Sequence, residues 1–188
     1  ELVVNLVEKI RANKLRNVAH SLILVAKRNG FDWARAHILQ KRLYPLLNDY
    51  LKQFELMRAA STGSTMVDAS GGSTGDPATT GSLDDRIVTC IFTIASIMKT
   101  QPSNEDTSRV MQIFTTIVQL SEGHRAIQEE AIAGLIKFSR FGFVDIFQRL
   151  SSWNPDYPIS DRIKLMLTTM VHRKPPLFWK QLLQNRIV

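Results

Sequence analysis

The sequence predicts an all-α domain of stacked antiparallel helical hairpins, about ten helices forming a helical-repeat-like superhelix or an irregular bundle. Three observations lead there. Apolar residues recur at three- and four-residue spacing along most of the chain, the periodicity of a helix with one buried face. The joins between these stretches carry helix caps and breakers. The β-branched runs at 87–97 and 110–118 are competent strands by propensity, but their length, their caps and their lack of strict alternation favour helix.

Taken in order, Leu2, Val3, Leu6, Val7 and Ile10 form a first stripe. Leu15, Val18, Ala19, Leu22, Val25 and Ala26 form a second, closed by Asn29-Gly30, a pair suited to a left-handed helix end. Asp32 is placed to cap a third helix by accepting from its free amides. That helix carries Ala36, Leu39, Leu43, Leu46, Leu47, Tyr50, Phe54 and Met57, with Pro45 expected to kink or divide it. Asp84 or Asp85 is expected to cap the apolar helix that ends near Gln101-Pro102. Ser103-Asn104-Glu105-Asp106 reads as the next start, with acids complementing the helix dipole, and Val110, Ile113, Phe114, Ile117 and Leu120 follow on one face. A break at 121–123 leads to a helix from His124 to Arg140; Gly142 ends it, and Phe143–Trp153 is a short helix. After the two prolines of 154–158, Ser160 caps a helix bearing Ile163, Met166, Leu167, Met170 and Val171. Lys174-Pro175-Pro176 then turns into a final helix with Phe178, Trp179, Leu182, Leu183 and Ile187.

One segment breaks the pattern. In Ser61–Ser82, 15 of 22 residues are Ser, Thr or Gly, a composition that cannot bury enough apolar surface to offset the entropy of ordering it. It is expected to be a mobile loop within one helical domain spanning 1–188, between an N-terminal block, 1–60, and a C-terminal block, 83–188. The chain opens on Glu1 rather than Met, as expected of a piece of a longer protein.

An internal echo accompanies the pattern. Arg28-Asn29-Gly30-Phe31 and Arg140-Phe141-Gly142-Phe143 both join one helix to the next, 112 residues apart. Aligning them pairs Leu15 with Ile127, Ala19 with Ala131, Ile23 with Leu135 and Leu24 with Ile136. In helix length, loop length and these joins the chain resembles the armadillo/HEAT class of α-helical repeats. That resemblance implies a curved stack of helical hairpins whose usual work is holding other macromolecules.

Charge adds a direction. Lys and Arg number 24 against 17 acids, a net +7, and residues 1–60 alone hold eleven basic and five acidic side chains. Residues 162–188 hold six basic side chains and no acid. Such a field favours an anionic partner. No stretch reaches the ~18 consecutive apolar residues of a membrane span. The lone Cys90, within an apolar run, reads as an inert core thiol compatible with a reducing compartment. The expected location is intracellular, nuclear or cytoplasmic, the basic charge tilting it to the nucleus.

Several chemistries lack their residues. His20, His37, His124 and His172 have no metal-ligand spacing. The glycines at 71–75 lack the lysine and preceding strand of a phosphate loop. Glu129 and Glu130, adjacent on a helix, point ~100° apart, which suits solvent exposure. The expectation is therefore no enzyme, no cofactor, no metal and no small-molecule substrate. Two surfaces remain for a partner. One is a basic strip of Lys27, Arg28, Arg35, Lys41 and Arg42 beside Trp33, where the seven-residue spacing of Arg35 and Arg42 puts both on one helical face. The other is the C-terminal stretch with Arg173, Lys174 and Trp179. The function expected is a protein-protein interaction scaffold of a larger multi-subunit assembly, docking another protein or peptide of acidic character. Binding of RNA or DNA through the basic strip is the alternative.

Overall fold

The computed structural model describes residues 12–62, 77–99 and 103–173. Seven helices run through them, with no strand among the described residues. Helix α1 is Ala12–Asn29. Helix α2 is one continuous rod made of Phe31–Ala34, a π-helical stretch Arg35–Leu43, and Tyr44–Thr62. Then come α3 (Pro77–Met98), α4 (Asn104–Leu120), α5 (Arg125–Lys137), α6 (Phe143–Ser151) and α7 (Asp161–His172).

The joins show why the chain turns where it does. Gly30 has φ of 89°, a region open to glycine at no steric cost. A methyl group added to it would meet nothing within 4 Å, so backbone conformation alone demands glycine there. Gly30, not Asp32, occupies the N-cap of α2; Asp32 lies inside the first turn and pairs with Arg35 at 3.6 Å. Ser103 caps α4 as expected, its hydroxyl accepting from the Asp106 amide at 3.1 Å and donating to the Asp106 carboxylate at 2.7 Å. Ser160 likewise accepts from the Ile163 amide at the start of α7.

Pro45 does not divide its helix. The proline ring removes one amide donor and crowds the carbonyl four residues back. Just before it the turn widens, and the Tyr44 amide bonds to the Leu39 carbonyl five residues behind. A π-helical turn of this kind absorbs the misfit without a break. It also resets the buried face: Ala34 and Leu39, and Ile38 and Leu43, are buried pairs five apart. This merger accounts for one of the ten helices expected. Two more, over Leu2–Ile10 and after Pro176, lie outside the described residues.

Helix also reaches into Ser61–Ser82 from both sides. Ser61 and Thr62 end α2, and α3 begins at Pro77, a first-turn position where the missing amide of proline costs nothing. Neither Asp84 nor Asp85 is therefore a cap. Residues 63–76 of that segment lie outside the described residues.

The helices stack in two layers. Odd-numbered helices pack in series, α3 against α1 and α5, and α5 against α7. Even-numbered helices cover them, α2 lying on α3 and both α4 and α6 on α5. Helices α3 and α5 run parallel: Arg140, beyond the end of α5, donates to the Lys99 carbonyl beyond the end of α3, while His124, just before α5, meets Asp84 in the first half of α3. Glu130 in the middle of α5 meets Arg162 at the start of α7. The consecutive pair α4–α5 is antiparallel, Phe114 facing Phe138 and the Gln128 amide donating to the Val118 carbonyl. Between the layers lies the core, with Ile87, Ile91, Ile94, Phe114, Ile117 and Phe138 essentially excluded from solvent.

The internal echo is only partial. Leu15, Ile127, Ala19, Ala131, Ile23 and Leu135 are all buried, but Leu24 is 65% exposed where Ile136 is 7%. The joins differ as well. Gly142 has φ of −158° and follows a turn, whereas Gly30 continues directly from α1. The cause is position: among the described helices, α5 is packed between α3 and α7, whereas α1 packs against α3 and the first turn of α2.

Candidate functional site

A broad opening lies in the even layer. Between α2 and α4 runs a groove of about 860 Å³. The apolar stripe of α4 explains its floor: Val110, Phe114 and Ile117 face the core, while Ile113 and Leu120, at the edge of the same stripe, are left half-buried in the groove. From α2, Leu51 and Tyr44 meet them. The walls are largely uncharged amides and hydroxyls, Gln40, Asn48, Gln112 and Thr116, with Lys52, Glu55 and Arg109 as the charged members.

Side-chain bridges span the two helices at both ends. Arg35 reaches Asp106 at 3.3 Å, and the Arg109 guanidinium lies 5.6 Å from the Tyr44 ring centre. At the far end Arg58 donates to the Leu120 carbonyl at 2.6 Å. Burial pushes the Tyr44 phenol up to about 12, Asp106 adding to the rise and Arg109 opposing it. Tyr44 is therefore a neutral wall of the groove. From Arg109 to Leu120 the open length is ~17 Å at 1.5 Å per helical residue, the span of about five extended residues.

The expected basic strip is not assembled as such. Lys27 and Arg28 are exposed in the last turn of α1. Trp33 is exposed with its ring 5.1 Å from that of His37. Lys41 is exposed, whereas Arg35 and Arg42 are half-buried. A π-helical turn advances each residue by less than the ~100° of an α-helix, so a seven-residue spacing within Arg35–Leu43 no longer returns to one face. Arg35 instead serves the ion pair to Asp106. At the other end Arg173 is exposed just past α7, and Lys174 and Trp179 lie outside the described residues.

The acidic pair on α5 is a second correction. Glu129 and Glu130 are not solvated: their side chains are 13% and 7% exposed. Glu129 accepts from Arg125 at 3.0 Å and from the Ser160 amide and hydroxyl at 2.9 and 2.5 Å. Burial alone would raise its pKa, but these hydrogen bonds outweigh it and hold the carboxyl below its usual range. Glu130 binds Arg162 at 2.6 Å with Lys137 at 3.9 Å. Both acids clasp α7 to α5, because α5 has neighbours on so many sides that its polar residues are enclosed with the rest.

The remaining chemistry-bearing residues are also held in structural contacts. Cys90 is buried, and burial pushes its thiol up to about 12. His124 meets Asp84 at 3.2 Å and the Phe54 ring edge-on at 4.6 Å. Among the described residues no group of three or more His, Cys, Asp or Glu side chains could hold a metal ion. Nor is any helix among them long and apolar enough to cross a membrane.

Fold and groove together define a two-layer stack of α-helices with an open even-numbered face. The family model for the Little elongation complex subunit 1 C-terminal domain matches residues 76–175, and the chain belongs to that family. The match covers α3 to α7, so one wall of the groove lies inside it and the α2 wall outside. No curated protein and no solved structure matches the chain.

Proposed function

We propose that this domain is a docking scaffold within a multi-subunit assembly, and that the α2–α4 groove receives an uncharged polypeptide segment from another subunit. The groove carries the reading: apolar side chains at its floor suit an anchor residue, and the amides of Gln40, Asn48 and Gln112 suit main-chain groups beside it. Membership of a family described by its place in an elongation complex supports the assembly. It also supports the nucleus as the compartment. The finer architecture we propose is an armadillo/HEAT-type stack, supported by the serial packing of the odd-numbered helices and the parallel course of α3 and α5. The domain is proposed to be non-catalytic. The experiment is affinity purification of the intact protein with and without this domain: named subunits should be lost on its removal, and an unchanged set would refute the scaffold.

A further inference from the structure

A second surface, around the C-terminal ends of α3 and α5, has a different chemistry. Lys99 follows the end of α3, and Lys137 and Arg140 stand at and beyond the end of α5. Lys137 is half-buried with its ammonium 5.0 Å from the Phe92 ring centre. Burial is the main cause lowering its pKa; Glu130 opposes that, and Arg162 and Lys99 add to it. Glu130 is shared between Arg162 at 2.6 Å and Lys137 at 3.9 Å, one carboxylate against two cations. A half-buried lysine sharing its one acid with Arg162 presents a cationic field that an incoming carboxylate would complement.

Apolar surface adjoins the charge. Phe141 is 40% and Val144 49% exposed, three residues apart across the α5–α6 join. We infer that Lys99, Lys137, Arg140, Phe141 and Val144 form a docking site for an acidic segment of a partner polypeptide carrying apolar anchors. The aromatic rings decide between this and nucleic acid. Base recognition needs open ring faces, but Lys137 covers the Phe92 ring and Arg140 lies 4.3 Å from the centre of Phe141. The apolar residues thus serve as anchors beside a cationic field. This surface is separate from the groove, and its failure would leave the groove untouched.

The test is fluorescence anisotropy on the full 188-residue chain at ~50 and ~200 mM salt. The probes are a labelled peptide alternating Asp or Glu with Leu or Phe, and an oligouridylate of equal charge. The peptide should bind at the lower salt. Lys99→Glu with Lys137→Gln should weaken it by at least about tenfold, and Phe141→Ser by several-fold. Melting curves accompany each variant; if the charge variant melts early, Phe141→Ser alone decides. Absent binding at low salt, or a peptide affinity unchanged in Phe141→Ser, would overturn the inference. Tighter binding of oligouridylate than of peptide would overturn it too, assigning the cations to nucleic acid.

Discussion

Arg35 of α2 and Asp106 of α4 lie 3.3 Å apart across the groove, and the same carboxylate receives the Ser103 hydroxyl that caps α4. One acid therefore orders a helix start and ties it to the opposite wall. Asp106→Ala should lose about 1–2 kcal/mol, and Arg35→Ala less than about 1 kcal/mol, because its side chain is still 40% exposed and water screens the pair. A double-mutant cycle by urea denaturation should give a coupling of a few tenths of a kcal/mol or more. Strict additivity would mean the bridge is incidental.

Gly134 sits on α5 directly against the ring of Phe114, and an added methyl would lie 2.7 Å from its Cδ2. Phe114 is fully buried against Phe138 and has no room to retreat. Alanine ordinarily favours a helix over glycine by ~1 kcal/mol, but the clash should win. Gly134→Ala is expected to destabilise by about 1–3 kcal/mol, read as a lower urea midpoint. A stabilised variant would show that α4 and α5 approach less closely than described.

Acid sensitivity should centre on Glu129. Its folded pKa lies below the ordinary glutamate value of 4.5, so its contribution is fully present above that pH and lost as pH falls through the folded value. Stability measured from pH 6 downward should decline below about 4.5, and Glu129→Gln should flatten that part of the profile. Equal profiles for the two proteins would locate the acid response elsewhere.

Cys90, buried and with its thiol pushed up to about 12, should resist a thiol reagent at pH 8 in the folded chain. In urea it should react at the rate of a free cysteine. Fast labelling without denaturant would place it at an accessible surface.

The local features of this fold were legible in the sequence, and the reason is that they are local. Ser103 and Ser160 cap helices through atoms three residues away, and helical periodicity marks Val110, Phe114 and Ile117 as inward-facing without knowledge of any neighbour. What depends on a partner helix was not legible. Glu129 and Glu130 look like solvated acids until α7 is laid beside them. Val25, expected in the α1 stripe, is exposed while Ile23 is buried, because the direction of the packed face is set by α3. The π-helical turn before Pro45 shifted the phase of α2 and parted Arg35 from Arg42. The groove left the faintest trace: the α4 stripe is wider than its core contact requires, and Ile113 and Leu120 are the surplus.

The most direct measurement fills that groove. Asn48 and Thr116 are exposed on its two walls, so Asn48→Trp with Thr116→Trp should block it and leave the core intact. The intact protein carrying both changes would be purified with its associated subunits and compared with wild type by quantitative mass spectrometry. An unchanged melting curve with loss of at least one subunit is the expected result. A full set of subunits on a correctly folded double variant would contradict the groove as the docking surface.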